Sequence, residues 1–189
     1  MEEERVRQLE TEIAAHLEHG ALEPAARSAI EGFGPSILLY LRGVLQDEDA
    51  AQDVFGHFAE KLWVGLSGFR RMSSFRTWAH SIAWNAAQDH LRDRFRRRGR
   101  RLETSEAEAL AGEVRSRTPL FMGSAARGRL LRLKDSLSEE ERALLLLRVE
   151  QSMPWKEVAE ALSLPEAAVR KRFERLKKKL RELASKESA

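Results

Sequence analysis

The stretch WKEVAEALSLPEAAVRKR, residues 155–172, predicts two short helices joined by a tight turn. Ala159 is small enough to let a second helix cross the first one closely. Leu162, Leu164 and Val169 are apolar at the positions where the turn and the second helix have to be buried. The spacing is typical of a helix-turn-helix, so we expect this stretch to carry a recognition helix that binds duplex DNA.

The second helix of this stretch is rich in cations, which extend well beyond the turn. Its expected DNA contacts are the basic residues Arg170, Lys171, Arg172, Arg175 and Lys178. The first four lie early in the helix, where side chains reach base edges, and Lys178 lies within reach of phosphates. The alternative is an amphipathic hairpin whose basic residues only face water.

Composition favours a helical protein. The chain has 189 residues with 42% hydrophobic and 33% charged side chains, only 5 prolines and 11 glycines. Such a mixture suits amphipathic helices around small cores. The absence of cysteine excludes disulfides, thiolate zinc sites and cysteine nucleophiles, and we expect neither a metal nor another cofactor.

Charge is distributed unevenly, although the formal net charge is only +3. Residues 92–101 contain seven arginines and one aspartate, and residues 170–181 contain eight lysines or arginines and one glutamate. Two concentrated basic segments indicate two contacts with a polyanion. The alternative is that these cations merely solvate helix faces.

Apolar periodicity divides the chain. It predicts helices over residues 4–18, 24–32, onward from 35, 50–66 and 74–98, and shorter helices between 129 and 183. We therefore expect an all-α protein of two small helical domains, residues 1–98 and 129–189, joined by a flexible linker over residues 99–128. The C-terminal domain is the helix-turn-helix.

The N-terminus reads Met1-Glu2-Glu3-Glu4, which has the wrong charge for a signal peptide. No apolar run approaches the roughly 20 residues that span a bilayer. We therefore expect a cytoplasmic protein without membrane insertion.

Residues 49–98 and 137–183 resemble the two DNA-binding domains of extracytoplasmic-function sigma factors, the group IV members of the sigma-70 family. The motifs that carry the resemblance follow one another in a set order: Ala51-Gln52-Asp53-Val54, Leu62-Trp63, Phe69-Arg70, Ser73-Ser74-Phe75-Arg76-Thr77-Trp78, Ile82-Ala83, Asn85 and Asp89-His90-Leu91-Arg92. Each motif is short, and their order ahead of a helix-turn-helix makes the resemblance specific. It implies a non-enzymatic subunit that binds core RNA polymerase and promoter DNA and assists promoter opening, and it suggests an anti-sigma protein as a further partner.

The resemblance also assigns residues to roles. It implies that the minus-ten promoter element is read by a surface comprising Phe69, Ser73, Ser74, Phe75, Asn85, Arg92, Arg94 and Arg96. Aromatic and amide side chains beside cations suit unstacked bases and a single-stranded backbone. Burial of Phe75, Trp78, Ile82 and Trp84 in the core is the competing expectation for the aromatic and apolar members of this segment. The helix-turn-helix would read the minus-thirty-five element.

Polymerase docking is assigned to Asp53, His57, Glu60 and Lys61, which share one helix face. Two departures from the family pattern lie nearby. Gly56-His57 stands where the family usually has Gln-Glu, and Arg71-Met72 stands where it usually has Gly-Glu. The first departure bears on docking and the second on the promoter sequence that is preferred.

Three other functions compete with this interpretation. A helix-turn-helix regulator that binds duplex DNA without docking on polymerase would explain residues 129–183 and leave residues 73–98 unexplained. A sigma-like regulator that no longer docks normally would agree with Gly56-His57. An enzyme has little support, because the five histidines show no His-Glu-x-x-His spacing and the chain has no glycine-rich phosphate loop.

Overall fold

The computed structural model describes residues 2–93, 105–118 and 136–187. Within these ranges the chain forms eight α-helices and no strand. The all-α fold class is therefore confirmed. Of the shorter helices predicted between residues 129 and 183, the part before residue 136 lies outside the described residues.

Four helices make the N-terminal part of the molecule: α1 (Glu2–Glu18), α2 (Leu22–Leu45), α3 (Glu48–Gly65) and α4 (Phe75–Asp93). A single 3-10 turn, Leu66–Gly68, follows α3. Helix α2 lies at the centre, because α1, α3 and α4 all pack against it. The candidate minus-ten loop joins the 3-10 turn to α4.

Helix α2 is continuous where the sequence predicted two helices divided before Pro35. The proline lies inside it, although a proline in a helix interior removes one hydrogen bond. The apolar stripe continues on both sides of Pro35, with Ile30 and Phe33 before it and Ile37 and Leu41 after it, all buried. The free energy gained by burying that stripe outweighs the free energy lost with one helix hydrogen bond at Pro35. Tertiary packing often overrides intrinsic helix propensity in this way.

Helix α5 (Ser105–Arg117) lies in the segment that was predicted to be a linker with little apolar periodicity. It packs on α2 and α3 and buries four apolar residues, Ala107, Leu110, Ala111 and Val114. A Cβ added at Gly34 would lie 3.1 Å from Val114 Cγ1, so the glycine lets α5 approach α2 closely. The prediction was wrong here because three of the buried residues are alanine or valine, which give a weak amphipathic signal.

The C-terminal part consists of α6 (Glu139–Leu145), a π-helical turn Leu146–Glu150, α7 (Trp155–Ala161) and α8 (Glu166–Glu187). Ser138 caps α6 in a capping box: its hydroxyl accepts from Glu141 N, and the Glu141 carboxylate accepts from Ser138 N. The Ser-Glu-Glu-Glu run at residues 138–141 is the local sequence pattern that such a box requires.

The two parts pack against each other, α4 against α7 and α2 against α6. Arg142 is buried, and its Nε donates to the Val44 carbonyl at 2.7 Å. Arg76 donates to the main-chain carbonyl of Gln151. The structure thus places the helix-turn-helix directly on the N-terminal helices.

Of the helices in the described residues, none combines the length and the apolar character needed to cross a bilayer.

Candidate nucleic-acid interface

A stripe of side chains on α4 forms the centre of the candidate minus-ten surface. Trp78, Ile82, Asn85 and Arg92 follow one another at spacings of four, three and seven residues and therefore share one helix face. Asn85 is exposed and Trp78 and Ile82 are half-buried, while Arg92 is 73% exposed. The stripe runs from an aromatic end through an amide to a cation. The two remaining predicted arginines, Arg94 and Arg96, lie outside the described residues.

An aromatic cluster supports the start of this stripe. The ring of Phe69 lies 5.1 Å from that of Phe75 and 4.9 Å from that of Trp78, between centroids. Phe75 is only 4% exposed and also packs against Phe33. The structure therefore places Phe75 in the core, where it supports the surface from beneath. Of the other residues expected in the core, Trp84 is buried, whereas Trp78 and Ile82 are exposed in part.

The loop before α4 is closed by a local cap. Ser74 Oγ accepts from Thr77 N at 3.1 Å and lies 2.7 Å from Thr77 Oγ1, so Ser74 satisfies an otherwise unpaired N–H at the helix start. Ser73 and Ser74 are half-buried, while Arg71 and Met72 before them are exposed. The predicted role of Ser74 in DNA contact thus competes with a cap that fixes the loop.

Arg71 has a left-handed backbone with φ of 55°, which is uncommon for any residue except glycine. The family's usual glycine at this position has a physical reason, since glycine adopts this conformation without strain. Here the side chain is tied to α1 instead: its guanidinium donates to Glu18 Oε1 at 2.7 Å and to the Ala14 carbonyl at 2.9 Å. The hydrogen bond and positive charge of Arg71 lower the pKa of Glu18.

Helix α1 makes a second contact at the far end of the loop. Glu10 Oε1 accepts from the backbone N–H of Arg76 at 3.0 Å, in the first turn of α4. Sequence analysis missed Glu10, Glu18 and Arg71 as contributors to this site, because their partners are more than 50 positions away along the chain.

The recognition helix α8 presents its cations on two different faces. Val169 and Leu176 are buried, and Lys171, Arg175 and Lys178 are exposed at spacings of four and three residues. These three side chains therefore form one outward-facing row that is free to meet DNA.

Other cations of α8 engage carboxylates of the protein. Arg172 pairs with Glu140, and Lys179 Nζ lies 2.7 Å from Glu141 Oε2, so both are directed toward the acidic first turn of α6. Partial burial tends to raise the pKa of Glu141, but Lys179 and the hydrogen bonds at Ser138 lower it overall. Arg172, predicted to read bases, is thus held by an ion pair in this structure.

Arg170 is oriented by two neighbours. Its Nη2 lies 2.6 Å from Glu166 Oε1, and its guanidinium lies 5.3 Å from the Trp155 ring centroid. Arg148 approaches the same ring at 4.8 Å. Cation–π contacts of this kind restrict an arginine side chain, so Trp155 is a support for Arg170 that the motif alone did not reveal.

The candidate polymerase face lies on α3. Asp53, His57, Glu60 and Lys61 share one side of the helix, with Asp53 and Lys61 exposed and the other two half-buried. Lys61 Nζ lies 2.8 Å from Asp89 Oδ2 of α4, which links this face to the α4 stripe. Among the described residues, no group of three or more His, Asp or Glu side chains is placed to hold a metal ion.

Two family models match the chain in order. The sigma-70 region 2 model matches residues 29–98 and the sigma-70 region 4 model matches residues 127–180, together about two thirds of the chain. The first match contains the α4 stripe and the α3 face, and the second contains the helix-turn-helix.

Individual relatives are similar at low identity. The chain is 27% identical over 167 residues to a probable RNA polymerase sigma factor, RfaY, of Xanthomonas campestris, covering 86% of this chain and 39% of that protein. It is 29% identical to RNA polymerase sigma-H factor of Pseudomonas aeruginosa, covering 68% and 70%. It is 27% identical to ECF RNA polymerase sigma-E factor of Escherichia coli, covering 66% of each chain.

A solved structure shares the fold. The sigma factor RpoE from Bartonella quintana, in complex with the anti-sigma factor NepR, aligns with a TM-score of 0.58 at 18% identity. The alignment covers 80% of this chain and 91% of that chain. Sigma factors are in general not enzymes. The ordered region 2 and region 4 matches, the sigma factors among its relatives and this shared fold show that the chain belongs to the sigma-70 family of RNA polymerase sigma factors, in its extracytoplasmic-function class.

Proposed function

We propose that this protein binds core RNA polymerase in the cytoplasm, directs it to specific promoters and assists promoter opening, without catalysing a reaction itself. The observation that carries the proposal is that region 2 and region 4 occur in that order, each with an exposed surface suited to its expected DNA. The Asn85 stripe offers an aromatic ring, an amide and the cation of Arg92 to unstacked bases, and the outward row of α8 offers cations to duplex DNA.

The division of labour follows these surfaces. Residues 1–98 hold the minus-ten and polymerase contacts, residues 129–189 hold the minus-thirty-five contacts, and residues 99–128 join them. Asn85 is the best placed base reader of the N-terminal surface, because it is an exposed amide within an otherwise aromatic and charged stripe. Among the α8 cations, Arg175 is the best placed base reader, since it lies in the outward row and pairs with no described carboxylate.

An anti-sigma protein is a further proposed partner. Support comes from the shared fold with RpoE of Bartonella quintana, whose structure contains the anti-sigma factor NepR. Such a partner would inhibit the protein by covering its DNA and polymerase surfaces.

Docking is tested by charge reversal on α3. Asp53→Lys combined with Glu60→Lys is expected to abolish co-purification with core polymerase and promoter-specific RNA synthesis. The matched control is Glu23→Lys combined with Glu31→Lys, two exposed α2 carboxylates that pair only with Arg27 among the described residues.

In this experiment both double variants should keep the helical signal and the unfolding temperature of the unchanged chain. Docking that survives the α3 substitutions would show that another surface binds polymerase. Duplex binding by the unchanged chain without any polymerase-dependent transcript would instead favour a regulator that acts without docking.

A further inference from the structure

The loop between Phe69 and Phe75 is restrained from one side by a single helix. Arg71, near its start, reaches both the Glu18 carboxylate and the Ala14 carbonyl of α1. Arg76, just beyond its end, donates its backbone N–H to Glu10 of the same helix. Helix α1 therefore holds the loop at both of its ends.

The restraint acts on a backbone that an arginine adopts reluctantly. At φ of 55° a side chain with a Cβ is disfavoured, so a loop carrying arginine at this position would relax if its side chain were released. Because the two α1 acceptors hold the guanidinium, they also hold the left-handed turn. The ion pair is thus a determinant of loop shape and not merely a surface contact.

This turn projects Met72 into solvent. Met72 is 88% exposed, more than any other large hydrophobic residue among those described. Its neighbour Arg70 is exposed and Ser73 is half-buried, so the apolar side chain stands among polar ones. The loop continues directly into the aromatic end of the α4 stripe, through the contact of Phe69 with Trp78.

We propose that α1, through Glu18 and Arg71, positions Met72 as an apolar wedge that packs against an unstacked base of the melted promoter strand. The inference rests on the proposed function and names residues that set its sequence preference. Apolar side chains, methionine included, are used in this way where proteins separate stacked bases. The adjoining aromatic, amide and cation stripe favours a nucleic-acid strand over an apolar protein partner.

The test is open-complex formation by the full chain with core polymerase on promoters that vary each base of the minus-ten element, followed by permanganate reactivity. Glu18→Gln should reduce opening about two- to fivefold, the range of an exposed ion pair, and should change base preference at one position. Met72→Ala should reduce opening roughly tenfold, as expected when the burial of one apolar side chain is lost, and should remove the preference at that same position.

Two further variants separate positioning from simple stability. Arg71→Gly added to Glu18→Gln lets the left-handed turn form without the ion pair and should restore the base preference at least in part. Glu3→Gln alters an 84% exposed carboxylate on the same helix, about 22 Å away along its axis, and should change nothing. A role in stability alone would lower opening on all promoters equally, in step with the unfolding temperature.

The inference is overturned if Glu18→Gln keeps the unchanged chain's preference profile, or if Met72→Ala opens promoters as well as the unchanged chain does. It also falls if adding Arg71→Gly to Glu18→Gln restores none of the base preference. Failure of the unchanged chain to open any promoter would reject the proposed function itself, and the wedge with it.

Discussion

At the scale of single residues, Arg172 and Arg175 play different parts although both lie early in the recognition helix. Arg175→Ala should relax base preference in the upstream element, since a bidentate contact to guanine contributes about 1–3 kcal/mol of discrimination. Arg172→Ala should leave preference unchanged and lower the free energy of unfolding by at most about 1 kcal/mol, because both side chains of the Arg172–Glu140 pair are 43% exposed to solvent. Binding to a panel of duplexes and thermal unfolding measure the two effects.

The matched control for this pair is Lys178→Ala. Lys178 lies in the outward row, where it is expected to contact phosphate. Its loss should weaken binding to all DNA sequences alike and reduce the slope of log K against log salt by about one unit. Altered base preference in Arg172→Ala, with an unchanged profile in Arg175→Ala, would reverse the assignment.

His80 gives the fold a dependence on pH. It is fully buried between Arg76, whose carbonyl lies 2.9 Å from its Nδ1, and the ring of Tyr40. Burial lowers its pKa to about 4. In the unfolded chain the imidazole binds a proton near pH 6.5, whereas in the folded chain it resists protonation until about pH 4. The unfolded state therefore binds more protons between these values, and stability falls as pH falls through this window.

The measurement is chemical unfolding between pH 7.5 and pH 4.5. We expect the free energy of unfolding to decline at up to roughly 1.4 kcal/mol per pH unit below pH 6. His80→Gln should flatten that decline, and His57→Gln, on the half-exposed α3 face, should not. An unchanged slope in His80→Gln would mean that carboxylates cause the whole effect.

Residue-level prediction is most direct where one position carries its own signal. Asn85, an amide between apolar neighbours, was predicted to read DNA, and it is exposed, as that role requires. The α1 contacts to the loop could not be predicted, because Arg71 and Glu18 are 53 positions apart and neither residue type is unusual in its local sequence.

At the scale of elements, helix α8 has fewer cations available to bind DNA phosphates than its composition indicates. Of its eight lysines and arginines between residues 170 and 181, four form ion pairs with carboxylates of the described chain: Arg170, Arg172, Lys177 and Lys179. If only the other four meet phosphates, the slope of log K against log salt should be about −4, compared with about −7 for all eight.

That slope is measured by duplex binding of the full chain between about 50 and 200 mM salt. Glu140→Gln combined with Glu141→Gln releases Arg172 and Lys179 and should steepen the slope by up to about two units. A slope near −7 in the unchanged chain would show that DNA displaces the carboxylates.

Helix boundaries could be predicted where residues next to the boundary determine it. The capping box at Ser138 and the turn before Pro165 follow from the sequence. The continuity of α2 through Pro35 and the docking of α5 depend on what lies opposite, since Gly34 provides the close approach that Val114 fills. Periodicity within one segment carries no information about that neighbour.

At the scale of the whole molecule, the packed arrangement is too small for its proposed target. A compact chain of this length has a radius of gyration of about 16 Å and is thus roughly 40 Å across. On straight duplex, elements centred about 25 base pairs apart are separated by about 85 Å. Simultaneous contact with both promoter elements therefore requires α4 to separate from α7 and α2 to separate from α6. This movement breaks the hydrogen bonds from Arg76 to Gln151 and from Arg142 to Val44.

This separation can be followed by fluorescence energy transfer. The chain has no cysteine, so Glu31→Cys on α2 and Lys156→Cys on α7 accept labels cleanly at exposed sites. Transfer should be high in the free chain and fall when core polymerase and promoter DNA are added. Arg142→Gln should lower it in the free chain already. Transfer that is unchanged on the promoter would show that the packed form is the active one.

The left-handed backbone at Arg71 also makes positions 71 and 18 interdependent, because the residue at one decides what a substitution at the other costs. With glycine at position 71 the turn needs no tether, and position 18 is free to vary. With arginine there, loss of the Glu18 carboxylate leaves a strained turn that, among the described contacts, only the Ala14 carbonyl still holds. The same substitution at position 18 is therefore expected to be neutral beside a glycine and damaging beside an arginine, so its effect depends on the residue at position 71.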